Sequence, residues 1–207
     1  MATVMARSYE NSVFVNCPFD REYWPLFEAL TFAVYQCGCY PRCALEVDDS
    51  SQVRVEKIIT MIGSCRLSVH DISRVESDGE PPMPRFNMPL ELGIFLGAKA
   101  FGAYDQKRKA GVVLDAERFR YQRYISDIAG QDIRAHRGDA AELIRHVRNF
   151  LLSQADETVF LPGPRRIAER FQDFRRNLPA SCAELHLDPN DLTFGDLTRF
   201  IIGYLES

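Results

Sequence analysis

Four short apolar runs mark the first half of the chain: SVFVN at residues 12–16, CYPRCAL at 39–45, CRLSVH at 65–70 and AGVVLD at 110–115. Each predicts a buried strand. Between the first two, Phe27, Leu30 and Val34 recur at helical spacing over residues 23–37, and Gly38 is placed to close that helix. Val55, Ile58, Ile59 and Ile62 form one helical face ending near Gly63, and the serines of the preceding EVDDSS loop (46–51) are placed to cap it. A loop rich in Pro, Ser and Gly (71–87) leads into an apolar helix at 90–100. Beyond Asp115 the pattern weakens. Residues 118–128 and 140–152 read as helices, with a short fifth strand at 132–136 between them. Two more helices follow the Gly163-Pro164 break, at 166–177 and 194–205.

Strands alternating with helices predict right-handed βαβ units, hence an α/β architecture with a doubly wound parallel sheet of about five strands. The strands are continuous apolar runs, as expected for strands covered on both faces. The chain divides into a tail (1–11), an α/β domain (12–154) and a C-terminal helical extension (155–207) that packs on the core or on a partner.

Composition narrows the function classes. The 207 residues are 46% hydrophobic and 26% charged, ordinary for a globular domain, with net charge −4. That balance argues against a nucleic-acid binder. No apolar run approaches 18 residues, and residues 1–11 hold no apolar stretch, so neither a membrane span nor a secretory signal is expected. The expected compartment is the cytoplasm, with the six cysteines reduced. Cys37, Cys39 and Cys43 lack zinc-knuckle spacing and have no local His, so packing is expected and no metal. Cys17 lacks a local His to activate it. Lys107-Arg108-Lys109 reads as a solvated turn, the arginine pairs 165–166 and 175–176 as salt-bridged exposed faces, and Tyr121, Tyr124 and Ile128 as core.

In an open parallel sheet the ligand binds beyond the C-terminal strand ends, at the switch in strand order. Three polar, acidic loops leave those ends, at 16–20, 46–51 and 70–87. None carries a phosphate-loop or dinucleotide glycine pattern. In the NMPLELG segment Asn87 is placed as an N-cap and Pro89 suits the first turn. Glu91 then lies one turn into a helix near the strand ends. Either it complements the helix dipole, or it is a lone carboxylate at a cleft mouth, among Leu90, Leu92, Ile94 and Phe95, able to stabilise a ribosyl oxocarbenium ion or attack its anomeric carbon. His70 beside Asp71 admits acid–base work or a local hydrogen bond.

The ordered motifs SVFVNCPFD, EVDDSS, IGSCRLSVHDIS and NMPLELG resemble the bacterial TIR and TIR-like domains, across residues 12–136. The resemblance implies a flavodoxin-like fold with Glu91 at the position of the catalytic glutamate. It implies cleavage of NAD between ribose and nicotinamide, giving ADP-ribose or a cyclised form, in antiphage or stress signalling. NAD is then a substrate and no cofactor is needed. Cys17-Pro18-Phe19, Asp71 and Glu91-Leu92-Gly93 also resemble nucleoside 2-deoxyribosyltransferases, although the Asp-Gly that this family places shortly before its Glu stands farther upstream here, as Asp78-Gly79. Both resemblances imply chemistry at a ribosyl N-glycosidic bond. They assign substrate contacts to Asn16, Cys17, Pro18, Phe19, Asp20, Asp71, Ser73 and Asn87, with Phe19 stacking on the base. Asp20 reads equally as a helix N-terminal residue, and Asp48 and Asp49 as loop solvation or assembly contacts. A small nucleotide and a homo-oligomer are the expected partners, with a protein partner on the C-terminal helices, and no nucleic acid or membrane. A non-catalytic signalling or nucleotide-binding module is the alternative.

Overall fold

The computed structural model describes residues 7–75 and 85–207. Five parallel strands form one sheet: β1 (Ser12–Asn16), β2 (Tyr40–Arg42), β3 (Leu67–Asp71), β4 (Ala110–Asp115) and β5 (Arg134–Ala135). Their order, β2-β1-β3-β4-β5, is the flavodoxin-like doubly wound order, which reverses direction between β1 and β3. The helices are α1 (Trp24–Gln36), α2 (Arg54–Gly63), α3 (Asn87–Phe101), the single turn α4 (Tyr104–Lys107), α5 (Ala140–Gln154), α6 (Pro164–Glu184) and α7 (Phe194–Glu206).

Strand alternation assigns side chains to the two faces. Val13 and Val15, Leu67 and Val69, and Val112 and Leu114 pack with α1 and α5. On the opposite face Phe14 meets Ile58, Met61 and Ile62 of α2 and Phe95 of α3, while Val113 and Ile72 meet Met88 and Leu92. Helix α1 is buried almost all round, because α6 and α7 cover the side that the sheet does not. Phe32 of α1 packs on Phe171 and Phe174 of α6 and on Tyr204 of α7, and buried Glu28 pairs with Arg175 at 3.2 Å. Thr193 and Asp196 form a reciprocal capping box at the head of α7.

Several local expectations are corrected. The second strand is confined to Tyr40–Arg42 because it is an edge paired only with β1, and the chain turns at once, with Glu46 N–H donating to Cys43 O. On α2 the buried face is Ile58, Met61 and Ile62. Val55 and Ile59 are exposed, since only one side of this helix meets β1 and α3. The loop serines do not cap it: the cap position is Val53, and Ser51 bonds Asp49 instead. Residues 118–128 form two 3-10 turns, Arg120–Arg123 and Ser126–Ile128, rather than one helix, because Phe119 turns left-handed (φ 63°) and Tyr124 and Arg120 are bonded to strand-end groups. Tyr121 and Ile128 are core, as expected. Lys109 is 1% exposed, not solvated. Its Nζ donates to Ile62 O at 2.6 Å and to Cys65 O, closing the last turn of α2, and burial lowers its pKa to about 8.

Candidate functional site at the strand-order switch

The C-terminal ends of β1 and β3 lie side by side, with Asn16 and His70 in register. The Asn16 amide donates to Met88 O (2.8 Å) and contacts His70 Nδ1 (3.0 Å), so one side chain ties β1, β3 and the first turn of α3 together. His70 is fully buried against Phe95 and Phe14, and burial lowers its pKa to about 3. Burial thus favours the neutral ring, whose Nδ1 is the atom in contact with Asn16.

Asp71, also fully buried, is saturated with donors. Its Oδ2 accepts from Tyr23 Oη (2.5 Å) and lies 3.0 Å from His136 Nε2, and its Oδ1 accepts from Ser73 N–H (2.9 Å). Burial alone would raise this carboxyl. The hydrogen bonds and charge of His136, with those of Ser73 and Tyr23, outweigh it and leave the pKa below the usual value. Gly138 N–H donates to His136 Nδ1, so the Nε2 side of the ring is the one that makes the ion-pair contact with Asp71. Asp115, at the end of β4, is a second such corner. Arg120 donates to it at 2.6 and 2.9 Å and also to Ser73 O (2.5 Å), and Tyr124 Oη donates at 3.1 Å.

Glu91 differs from both. It is 8% exposed, one turn into α3, and no described residue hydrogen-bonds its carboxylate. Met88 and Leu92 flank it with apolar packing, and burial raises its pKa to about 7, opposed only by the charge of Arg54 at the head of α2. At neutral pH it is thus divided between an acid that can donate a hydrogen bond and a carboxylate that can stabilise a cation.

The other predicted residues separate. Cys17 and Pro18 are buried beneath the β1 loop, and burial pushes the Cys17 thiol well up, away from nucleophilic use. Phe19 is half-buried, its ring edge-on to Phe27 of the core at 5.3 Å. Asp20 accepts from Tyr23 N–H at the head of α1 and also pairs with Arg74 (3.1 Å) and Arg85 (3.0 Å), on either side of residues 76–84. Ser73 is buried beside Asp71. Asn87 is exposed and is the first residue of α3. The flanking position is Phe86, and no side chain among the described residues caps the helix, which corrects the N-cap expectation. Asp78 and Gly79 lie outside the described residues. Thus Asn16, Asp71, Ser73 and Glu91 stand at the ends of β1 and β3 and at the head of α3, while Phe19 packs on Phe27 and Asn87 is exposed.

Comparison with known proteins finds no family model, no curated protein and no solved structure that matches the chain. Among the described residues no group of three or more His, Cys, Asp or Glu is placed to hold a metal, and no helix is long and apolar enough to cross a membrane. Sequence reasoning missed Tyr23, Asp115, Arg120 and His136. The one available signal was an Asp at the close of two apolar strands, LSVHD and AGVVLD, each a buried charge that requires partners.

Proposed function

We propose that the protein cleaves the N-glycosidic bond between ribose and nicotinamide in NAD, with Glu91 as the catalytic carboxylate. The observation that carries this reading is a buried carboxyl with no bonding partner from the described residues, at the switch point of a flavodoxin-like sheet. One further feature supports it: the ordered resemblance of residues 12–136 to TIR-like domains, which implies the catalytic role for Glu91. In the ground state Glu91 hydrogen-bonds the nicotinamide-side ribose. As the bond to the base breaks, positive charge spreads over C1′ and the ring oxygen, and the ionised carboxylate stabilises it in an apolar setting where such an interaction is strong. Nicotinamide leaves with the bonding electrons, and water or an adenine nitrogen takes C1′. Asn16 holds the turn that carries Glu91, and the saturated Asp71 corner keeps the strand ends fixed.

The test is release of nicotinamide from NAD by concentrated protein, followed by chromatography, beside Glu91→Gln. Release lost in the variant supports the reading, and equal release from both overturns it. Release of a base from deoxynucleosides, with NAD untouched, transfers Glu91 to nucleoside chemistry. Release from neither substrate at high protein concentration favours a non-catalytic module.

A further inference from the structure

A second region at the same end of the sheet does not have Glu91 among its lining residues. The connection from β4 to β5 and the loop from β5 to α5 enclose a groove of about 720 Å³, and a neighbouring hollow of about 770 Å³ shares Arg118 and Arg137 in its walls. Phe119 stands at the groove with 67% of its surface exposed.

The charges in this groove divide into engaged and disengaged groups, and one carboxylate, Asp132, stands among the disengaged. Glu142 is held by Arg145, and the Asp139 carboxylate accepts from the N–H groups of Ala141 and Glu142 as the N-cap of α5. Arg134 reaches only a carbonyl, His146 O, at 3.4 Å. Arg118 and Arg137 are exposed and have no carboxylate within ion-pair distance among the described residues. Two guanidinium groups from separate loops therefore face shared space with donors to spare, the arrangement that grips phosphate oxygens in pairs.

The backbone adds an independent observation. Three described non-glycine residues have positive φ, and two of them are Phe119 (φ 63°) and Arg137 (φ 55°). A large side chain in that region is disfavoured, and glycine would be easier at both positions. The strained positions are thus occupied by an exposed aromatic ring and an unpaired arginine, the two side chains that a nucleotide engages with its base and its phosphates. Strain retained at one locus is a feature of ligand sites.

We infer that this groove binds a nucleoside diphosphate, with Arg118 and Arg137 on the phosphates and Phe119 stacked on the base. A volume of about 720 Å³ suits a ligand of that size. The site is separate from the switch-point cleft, so it serves a bound effector or product and not the reacting ribose.

The experiment is calorimetric titration of the full chain with ADP, inorganic pyrophosphate and adenosine at near-physiological salt. ADP is expected to bind. Arg118→Gln and Arg137→Gly are each expected to weaken it about tenfold, the loss of one charge-assisted phosphate contact. Phe119→Ala is expected to weaken ADP several-fold while leaving pyrophosphate unchanged. Arg137→Gly relieves the left-handed strain, so it is expected to melt no lower than the parent protein, which separates lost binding from lost folding. ADP affinity indifferent to both arginine substitutions overturns the inference, as does absence of ADP binding. Affinity that falls in Glu91→Gln but not in the arginine variants also overturns it, because the nucleotide then sits in the switch-point cleft.

Discussion

Asp71 and Glu91 are two carboxylates buried at the same end of one sheet, yet their surroundings push them in opposite directions. Asp71 is gripped by Tyr23, His136 and Ser73 and stays ionised. Glu91 is less deeply buried but has no hydrogen-bond partner from the described residues, so its proton is held up to about pH 7. The difference teaches where in this molecule a charge serves the fold and where it is kept in reserve. A satisfied buried carboxylate fastens elements together. An unsatisfied one lowers stability, and groups of that kind cluster at functional sites.

The comparison can be broken most forcefully at Asp71. Asp71→Ala leaves His136 and Tyr23 without their acceptor and is expected to cost about 3–5 kcal/mol in urea unfolding. Glu91→Gln at pH 8 is expected to melt at or above the parent temperature, so the two substitutions should differ in sign. The next effect is on chemistry. Glu91→Gln is expected to slow nicotinamide release about 10²–10³-fold, the usual consequence of removing one transition-state electrostatic contact.

Proton linkage sharpens the same contrast. Folded Glu91 keeps its proton to about pH 7, whereas in the unfolded chain it ionises near 4.5. Between these values the folded state binds more protons, so stability falls as pH rises through that window, by on the order of 3 kcal/mol. Denaturation midpoints measured from pH 4.5 to 8 should show this decline, and Glu91→Gln should flatten it. Asp71 works the other way: its contribution is complete above the ordinary carboxylate range and is lost as pH falls through its depressed value. The smallest expected effect is Tyr23→Phe, which removes one hydrogen bond to an ionised acceptor and should cost about 1.5 kcal/mol in the same urea assay.

The strands that read most clearly from the sequence were those buried on both faces. SVFVN and AGVVLD are β1 and β4 to the residue, because a doubly covered strand is a continuous apolar run with no competing period. Strand β2 was overextended because Pro41 and the nearby cysteines look equally apolar in a turn and at a sheet edge. Glu91 was legible as a lone acid among apolar neighbours. The partners of Asp71 were not, because Tyr23 and His136 stand 48 and 65 positions away and only the closed sheet brings them together. Lys109 was misread for a related reason: a lysine that closes the end of a helix has the same one-dimensional context as one in a solvated turn.

The burial of α1 between the sheet and the two last helices has a consequence for how the chain matures. Phe27 and Phe32 find part of their cover on Phe171, Phe174, Phe194 and Tyr204. A nascent chain that has emerged only as far as residue 154 has all five strands but carries α1 with one side uncovered. Its sheet can assemble, but the aromatic layer closes only when α7 arrives with Phe194 and Tyr204. A chain cut short before α7 therefore presents an uncovered aromatic face, the kind of exposed apolar patch that promotes association.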